Sequence, residues 1–319
     1  MWTLLALLAC DTGPDYGPFT LMIRAHRKTL LQRPCDGKIA NELAVALRDS
    51  FATEEALQVF RDFEAVCEPD GVMLTKHVDH ARAAGKLDEA LGAARKLREL
   101  LPDNAVYHRQ LTDLLVEAGQ PAEAVPLLQG RYYAIPKAHD TLESLAQAQE
   151  AAGLPCDALV SWGTLWWVSP DKRGVAGRAQ ARIDETGACP GVVVTQDGKV
   201  RQDPENGYWR FQSLIGGKEA WLGLDTSAPL TYMTADAFEG AQDPVLIAEG
   251  VTMKAGPGKW VGDLYRVQSA RIGDVEMSLV DVLVLPKKPG GIDGFLGINT
   301  AGRVRMKEKD KRTWTLHAL

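Results

Sequence analysis

A segment that recurs every 34 residues is the feature that most constrains how this chain of 319 residues can fold. Residues 84–90, 118–124 and 152–158 each begin with Ala-Gly and end with Glu-Ala or Asp-Ala. The same spacing relates Pro102, Pro136 and Pro170, and also Leu111 and Leu145. Glycine commonly ends a helix, and proline does not continue one. The period therefore predicts a stack of helical hairpins, with the small alanine where two helices cross closely.

A more divergent copy of the repeat precedes these three. Glu55 lies 34 residues before Glu89, which predicts an earlier hairpin over about 38–69. Phe51 stands where the later copies have glycine. A further helix over about 172–184 is expected to cap the stack, because a terminal repeat must cover the apolar face of its neighbour.

The period and its landmarks resemble those of tetratricopeptide (TPR) repeats. The resemblance covers residues 35–187 and implies an α-solenoid that ends in a capping helix. TPR arrays usually bind peptides or partner proteins, so a protein ligand of unknown identity is expected. Aromatic residues near the last repeats either pack them against the following domain or form a ligand surface. They are Tyr132, Tyr133, Trp162, Trp166 and Trp167.

Four of the five cysteines lie in or beside the predicted helices. In an antiparallel hairpin, the start of one helix lies near the end of the next. Cys35 opens the first predicted helix and Cys67 closes the second, while Cys156 and Cys189 have the equivalent positions around the last hairpin. This geometry predicts the disulfides Cys35–Cys67 and Cys156–Cys189, and four buried free thiols are the alternative.

The first ten residues contain a short apolar run, 4–9, followed by Cys10. This resembles the lipobox of bacterial lipoproteins, whose cysteine is lipidated and becomes the mature N-terminus. The resemblance implies a signal segment over 1–10. Residues 11–34 are expected to be a linker and the start of the helical region. The resemblance also implies a lipid anchor at Cys10, which would hold the protein on a membrane of the bacterial cell envelope, facing the periplasm. A frayed hydrophobic end or a buried first strand is the alternative.

After Cys189 the pattern changes to short alternating segments separated by glycine turns, which predicts an all-β domain over 190–319. The expected fold class is therefore multidomain, with α-helical repeats first and an all-β domain second. Three features of the β domain follow one another in a fixed order. They are the loop Asp225-Thr226-Ser227-Ala228 after an apolar strand, the Gly- and Pro-rich segment 250–259 with Gly256, Gly258 and the following Trp260, and the apolar segment Phe295-Leu296-Gly297.

This order resembles single-lobe, retropepsin-like aspartic proteases, which have a small closed β-barrel. In that family a catalytic Asp-Thr-Gly-Ala loop is held by an apolar-apolar-Gly segment and covered by a mobile flap. The resemblance implies that Asp225, Thr226 and Ser227 form the catalytic loop, and that Phe295, Leu296 and Gly297 support it. It implies that Ala228, Gly256, Gly258 and Trp260 contact a peptide substrate. We call residues 250–259 the flap.

Hydrolysis by such a site needs two carboxylates that share one proton, so that one acts as a base and the other as an acid. Because the chain has one such motif, the resemblance implies a homodimer with Asp225 from each subunit. Thr226 would then hydrogen-bond across the two-fold axis. Ser227 departs from the family, which has glycine there, so that the backbone N–H approaches the carboxylates without a Cβ.

Two other aspartates lie within or beside sequence motifs of the aspartic protease kind. Asp11 begins an Asp-Thr-Gly tripeptide, but Pro14 follows and no β pattern surrounds it, so we interpret it as a coincidence within the linker. Asp293 precedes the apolar segment and is interpreted as a turn residue, with a role assisting the site as the alternative.

Two functions remain open. One is a membrane-anchored aspartic-type endopeptidase with a TPR protein-binding module. The other is a non-catalytic scaffold lipoprotein that binds peptides or proteins and retains a degenerate aspartic protease fold. Neither requires a cofactor or a metal. His77 and His80 lie three apart, but no third metal ligand is within reach by spacing. The net charge of -6, with no basic stripe, gives no reason to expect a nucleic-acid partner.

Overall fold

The structure is a computed structural model of the chain. It describes residues 14–192, 194, 196–205, 208–286, 292–310 and 313–318, and the side chains of 202–209 and 318 are not among them. The chain divides into two compact units after Gln120. The predicted signal segment, with Cys10 and the Asp-Thr-Gly tripeptide that begins at Asp11, lies outside the described residues.

The described part of the first unit is a series of α-helices joined by short turns. Helices α1 to α6 are Thr20–Gln32, Gly37–Asp49, Thr53–Val66, Gly71–Ala83, Leu87–Leu100 and Ala105–Glu117. Helix α2 packs on α3, and α4 packs on α5. The alanine of each repeat lies in the core, since Ala56 is 1% exposed and Ala90 is 0% exposed. A larger side chain at these positions would separate the two helices of a hairpin.

The helix starts follow the 34-residue period because the same kind of side chain caps them. Asp36, Asp70 and Asn104 precede α2, α4 and α6, and each accepts hydrogen bonds from backbone N–H groups of the first turn. Such caps satisfy donors that have no partner within the helix. The polar residue before each of these three helices therefore marks where its hairpin begins, whereas Ala138, one period later, precedes helix His139–Ala151 without a side-chain cap.

The helix ends follow the same period. Gly85 and Gly119 end α4 and α6 with φ of 69° and 73°. Phe51 takes the equivalent position after α2 with φ of 63°, although it has a Cβ and its side chain is 95% exposed. The turn imposes the left-handed conformation whichever residue is there.

A disulfide joins the two ends of the first hairpin. Cys35 lies before α2 and Cys67 follows α3, and their Cα atoms are 5.5 Å apart. Because the bond joins the start of one helix to the end of the next, the two helices are antiparallel. The sequence predicted this pair from the same geometry.

The second unit begins with four more helices. Helices α7 to α10 are Pro121–Ala134, His139–Ala151, Pro155–Val168 and Arg173–Asp184. Gly153 ends α8 with φ of 72°, and α10, which packs on α9, lies where the capping helix was predicted. A second disulfide joins Cys156, in the first turn of α9, to Cys189 after α10, with the Cα atoms 5.2 Å apart.

A β-rich part follows, with two short helices. Strands β1 to β5 are Gly198–Glu205, Tyr208–Ile215, Lys218–Leu224, Thr231–Thr234 and Val245–Ala255. Strands β6 to β10 are Gly258–Ile272, Val275–Leu285, Gly294–Leu296, Val304–Asp310 and Thr313–Ala318. Helices α11 and α12 are Ala235–Phe238 and Ile298–Ala301. A helical solenoid is thus followed by β-structure, in the order that the sequence predicts.

The strands form one ten-stranded sheet in the order β5-β6-β7-β4-β8-β3-β2-β1-β10-β9. Strand β6 also pairs with β2, through Ser213 to Ile215 against Ala270 to Ile272. The pairs β3–β8 and β4–β7 are parallel, and the other pairs are antiparallel. Apolar side chains such as Phe211, Leu222 and Leu296 fill the interior. Strand β8 consequently lies between β3 and β4, the two strands on either side of the loop that contains Asp225.

Helices of the second unit pack against its β-rich part. Tyr132 and Tyr133 are 3% and 7% exposed and line a cavity of about 40 Å³ together with Leu230 and Arg303. These two tyrosines therefore contribute to packing within the unit. This packing is the physical reason why the boundary between the compact units falls after Gln120, although the sequence pattern changes from helix to strand near residue 190.

Candidate active site

The Asp225 loop connects β3 to β4 and is anchored by the segment behind it. The Asp225 N–H donates to the carbonyl of Leu296 at 3.0 Å, and the Ile298 N–H donates to the carbonyl of Ala228 at 2.9 Å. A Cβ on Gly297 would lie 2.1 Å from the backbone of Leu230, so only glycine fits there. The apolar segment and the Ile298 that follows it thus hold the loop by backbone contacts at Asp225, Ala228 and Leu230.

Buried polar side chains reinforce this anchor. Asn299 accepts a hydrogen bond from the Thr231 N–H at 2.7 Å, and the Thr231 hydroxyl donates to Thr300 Oγ1 at 2.7 Å. The Gly297 N–H in turn donates to the Thr231 hydroxyl at 3.0 Å. A satisfied buried network of this kind is rigid, since each broken bond would leave a polar atom without a partner.

The Asp225 carboxylate is half-buried and receives donors on both oxygens. Its Oδ1 accepts hydrogen bonds from the Ser227 N–H at 2.9 Å and from the Ser227 hydroxyl at 2.6 Å. Its Oδ2 accepts a hydrogen bond from the Tyr232 hydroxyl at 3.2 Å. In retropepsin-like proteases a glycine N–H is expected at this position. Here the Ser227 N–H donates to Asp225, and the Ser227 hydroxyl adds a second donor.

The flap contacts the Asp225 loop through Ser227. Its tip, the turn Gly256-Pro257 between β5 and β6, is exposed, and the Gly256 N–H donates to the Ser227 hydroxyl at 2.9 Å. Gly256 has φ of 53°, which favours glycine at this turn. The flap tip is thus joined to the Asp225 carboxylate through the Ser227 hydroxyl.

Tyr232 is a residue of this site that the sequence argument missed. Its ring is 3% exposed and lies at centroid distances of 5.2 Å from Phe295 and 6.1 Å from Trp260. Both contacts are stacked, so the phenol is held with its hydroxyl toward Asp225. Its position on a short buried strand directly after the motif is the signal that could have identified it.

The remaining predicted residues lie around this centre. Thr226 is exposed, whereas Ala228 is 0% exposed and packs inside. Gly258 begins β6, and a Cβ there would meet the Trp260 ring at 3.1 Å. The Asp293 carboxylate accepts a hydrogen bond from the Trp221 N–H at 3.1 Å, so it orders the turn before β8 beside strand β3.

A second concave surface lies in the first unit, between the ends of α3 and α5 and the start of α4. It encloses about 410 Å³. Its apolar lining includes Phe63, Met73, Leu74 and Leu100, and its acidic residues are Glu64, Glu68, Asp70 and Glu99. Lys96 also lines it and pairs with Glu64 at 2.7 Å, which leaves Glu68 and Glu99 as exposed carboxylates. The disulfide at Cys67 fixes the adjoining turn. This acidic-rimmed pocket can receive an apolar side chain beside a cationic one.

His77 and His80 do not form a metal site. Within the part of the chain that the structure describes, no group of three or more His, Cys, Asp and Glu side chains could hold a metal ion. His77 is instead hydrogen-bonded to Glu64 through Nδ1 and to Glu89 through Nε2, the latter at 2.9 Å.

Among the same described residues, no helix has the length and apolar character needed to cross a membrane.

Solved structures of known proteins are similar to this chain at low sequence identity. No protein-family model matches the chain, and no curated protein matches it. A solved structure of YrrB, described as a TPR protein with an unusual peptide-binding site, is 16% identical, with a TM-score of 0.39 over 54% of this chain and 85% of that chain. A structure of MamA is also 16% identical, with a TM-score of 0.36 over 53% of this chain and 85% of that chain.

Proposed function

We propose that the β-rich part is a retropepsin-like domain and that it hydrolyses peptide bonds as an aspartic-type endopeptidase. The observation that carries this proposal is the position of Asp225, which ends a strand in a turn anchored by Leu296 and Gly297, with the flap tip bonded to its neighbour Ser227. The pairing of β2 with both β3 and β6 supports a small closed barrel.

The reaction requires a second carboxylate, and a second copy of the chain supplies it. In the homodimer, the two Asp225 side chains share one proton across the two-fold axis. The ionised one takes a proton from water, whose oxygen attacks the peptide carbonyl carbon. The protonated one gives its proton to the amide nitrogen as the carbon–nitrogen bond breaks. Thr226 is exposed beside Asp225 and is available to contact the partner loop.

The location we propose is the bacterial cell envelope, with lipid at Cys10 and both units facing the periplasm. The disulfides Cys35–Cys67 and Cys156–Cys189 support an oxidising compartment, since such bonds are rare in the cytosol. The protein should therefore enter the membrane fraction of a Gram-negative host, and Cys10→Ser should remove it from that fraction.

Cleavage of a mixed peptide library at several pH values tests the activity. Wild type should cleave more per subunit at higher protein concentration, because the active form is a dimer. Asp225→Asn should abolish cleavage, since an amide can neither share the proton nor activate water. Asp236→Asn makes the same change at an exposed carboxylate in α11 and should cleave like wild type. Equal cleavage by Asp225→Asn and wild type would place the activity elsewhere.

A non-catalytic peptide-binding scaffold is the second candidate function, and the acidic-rimmed pocket favours it. The pocket lies in the TPR-like repeats and combines an apolar lining with exposed carboxylates such as Glu68 and Glu99. These features suit a peptide that carries an apolar residue next to Lys or Arg. In this function the β-rich part would bind an extended peptide beneath the flap without cleaving it.

Binding of labelled peptides tests this candidate. A peptide of alternating Leu and Lys should bind the full chain more tightly than its Leu and Glu counterpart. Glu68→Lys together with Glu99→Lys should remove that preference, while Asp88→Lys, an exposed change outside the pocket, should keep it. Equal affinities of the two peptides for wild type would exclude charge recognition at this pocket.

A further inference from the structure

The Ser227 hydroxyl makes two hydrogen bonds whose directions are fixed. It donates to Asp225 Oδ1 at 2.6 Å and accepts from the Gly256 N–H at 2.9 Å. A hydroxyl has one proton and can accept on its lone pairs, while a carboxylate only accepts and a backbone N–H only donates. The two hydrogen bonds therefore have one possible direction each, from the Gly256 N–H to the Ser227 oxygen and from the Ser227 O–H to the Asp225 carboxylate. Glycine at position 227 would have no side chain to join the other two groups.

We propose that Ser227 is a latch that holds the flap tip closed over Asp225, so that the flap gates access to this carboxylate. The inference rests on the proposed function of the same site and adds a mode of regulation. The latch bonds to a charged acceptor on one side, and hydrogen bonds to charged groups are stronger than those between neutral groups. Opening the flap breaks the bond between Gly256 and Ser227.

The hairpin that carries the latch is regular near its tip and irregular nearer its base. Met253 and Ala255 are 0% and 4% exposed, so the end of β5 packs inward. Nearer its base, the pairing of β5 with β6 is interrupted by register shifts between Leu246 and Val251. Such irregularities bend and twist a strand locally. The latch adds a hydrogen bond between the tip of this hairpin and the Asp225 loop.

A bound peptide would replace the latch. An extended peptide that enters beneath the flap offers backbone carbonyl and N–H groups, as in strand addition. Its carbonyl would accept the hydrogen bond from Gly256, and its N–H would donate to the freed lone pair of Ser227. The latch thus favours ligands with an extended backbone, because they return both hydrogen bonds lost on opening.

Tyr232 provides the matched control, because it bonds the opposite oxygen of the same carboxylate. Tyr232→Phe removes that hydrogen bond and keeps the ring that stacks on Trp260. It therefore disturbs Asp225 without breaking the contact between Ser227 and Gly256. Ser227→Gly and Ser227→Ala both remove the hydroxyl that contacts Gly256, and only the glycine variant also makes the backbone more flexible. Ser227→Thr keeps the hydroxyl.

Amide hydrogen exchange at Gly256, measured in the full chain, tests the latch. Exchange should be about 2- to 10-fold faster in Ser227→Gly and Ser227→Ala than in wild type, the range expected for one hydrogen bond. It should stay near the wild-type rate in Ser227→Thr and Tyr232→Phe. Equal exchange in wild type and in whichever of the Gly and Ala variants folds would overturn the proposal.

The exchange measurement does not depend on turnover, so the latch and the peptidase activity can fail separately. Faster exchange in the Ser227 variants of a protein that cleaves no peptide would keep the latch and reject the peptidase. Cleavage that requires Asp225, together with unchanged exchange at Gly256, would keep the peptidase and reject the latch.

Discussion

Arg266, on β6, is paired with Asp157, which lies in the first turn of α9 and 109 positions away in the chain. The same guanidinium bonds Asp281 on β7, with Nε at 2.7 Å from Oδ1. Although burial alone lowers the pKa of Arg266, the two carboxylates raise it above its ordinary value. This cation therefore joins the helices of the second unit to its β-rich part.

Removal of this cation should destabilise the second unit. Arg266→Met leaves Asp157 and Asp281 facing one another in a largely buried place, and loss of one partner of such a group costs about 3 kcal/mol. The free energy of unfolding, from urea denaturation followed by tryptophan fluorescence, should fall accordingly. Arg271→Met changes an exposed arginine on the same strand and should have little effect. An equal fall in the free energy of unfolding for Arg266→Met and Arg271→Met would show that the pairing of Arg266 with the two aspartates does not stabilise the unit.

The contact of Gly297 with the Asp225 loop should make that glycine irreplaceable. Gly297→Ala places a Cβ against the backbone of Leu230 and should cost about 2 kcal/mol or more, because backbone must move. Gly92→Ala, in α5, meets no atom within 4 Å and should instead stabilise by about 0.5–1 kcal/mol. Thermal unfolding of the two variants measures the difference. A Gly297→Ala protein as stable as wild type would contradict the described anchor.

The left-handed Phe51 offers a stabilising substitution. Phe51→Gly relieves a conformation that costs non-glycine residues about 1–2 kcal/mol, and the exposed ring makes little packing that could be lost. We expect a higher midpoint of thermal unfolding. Ser50→Gly changes the preceding residue, where φ is -91°, and should lower the midpoint. The turn geometry would be disproved if Phe51→Gly were the more destabilising change.

The buried charge group around His77 should make the first unit sensitive to pH. Burial lowers the pKa of His77, but the hydrogen bonds and charges of Glu64 and Glu89 raise it above 6.5. Its contribution to stability is then complete below the unfolded pKa of 6.5 and is lost as the pH rises through the folded value. The pKa values of both glutamates are lowered despite burial, so their contribution is lost as the pH falls below about 4.5.

Hydrogen exchange of the α4 amides measures this effect in the full chain. His77→Gln should exchange faster than wild type at pH 6, and the difference should shrink by pH 9. His80→Gln is the control, because burial and then the charge of Arg48 lower the pKa of His80, so that wild type loses stability there as the pH falls. If the difference in exchange rate between His77→Gln and wild type grew from pH 6 to pH 9, a stabilising protonated His77 would be excluded.

The two disulfides predict the number of free thiols. Oxidised protein should show at most one, from Cys10, when alkylated under denaturing conditions without reductant. Cys35→Ser with Cys67→Ser should destabilise the first hairpin by about 3–4 kcal/mol, because a closed loop of this length restricts the unfolded chain. Four alkylated thiols in addition to Cys10 would exclude both bridges.

The sequence alone indicated the first repeat hairpin, over about 38–69, and the capping helix, over about 172–184, to within a few residues, because its information is local. It did not indicate helix α1, Thr20–Gln32, which lies in the segment expected to be a linker and only the start of the helical region. The caps at Asp36 and Asp70, and the turn glycines Gly85 and Gly119, act on their own helices and recur with the repeat. The cysteine pairs followed from the same hairpin geometry. At Gly297 the backbone contact with Leu230 restricts which residue fits, so the sequence carries a local mark of this position.

Only the tertiary structure decided how distant segments meet. The compact boundary after Gln120 depends on tyrosines of α7 and on Arg266, whose partners lie far away in the chain. Tyr232 reaches Asp225 because β4 lies between β7 and β8, and Ser227 meets Gly256 because the hairpin of β5 and β6 folds back over the loop. Local patterns specify helices, turns and strands, but the packing of the whole chain selects which side chains share a site.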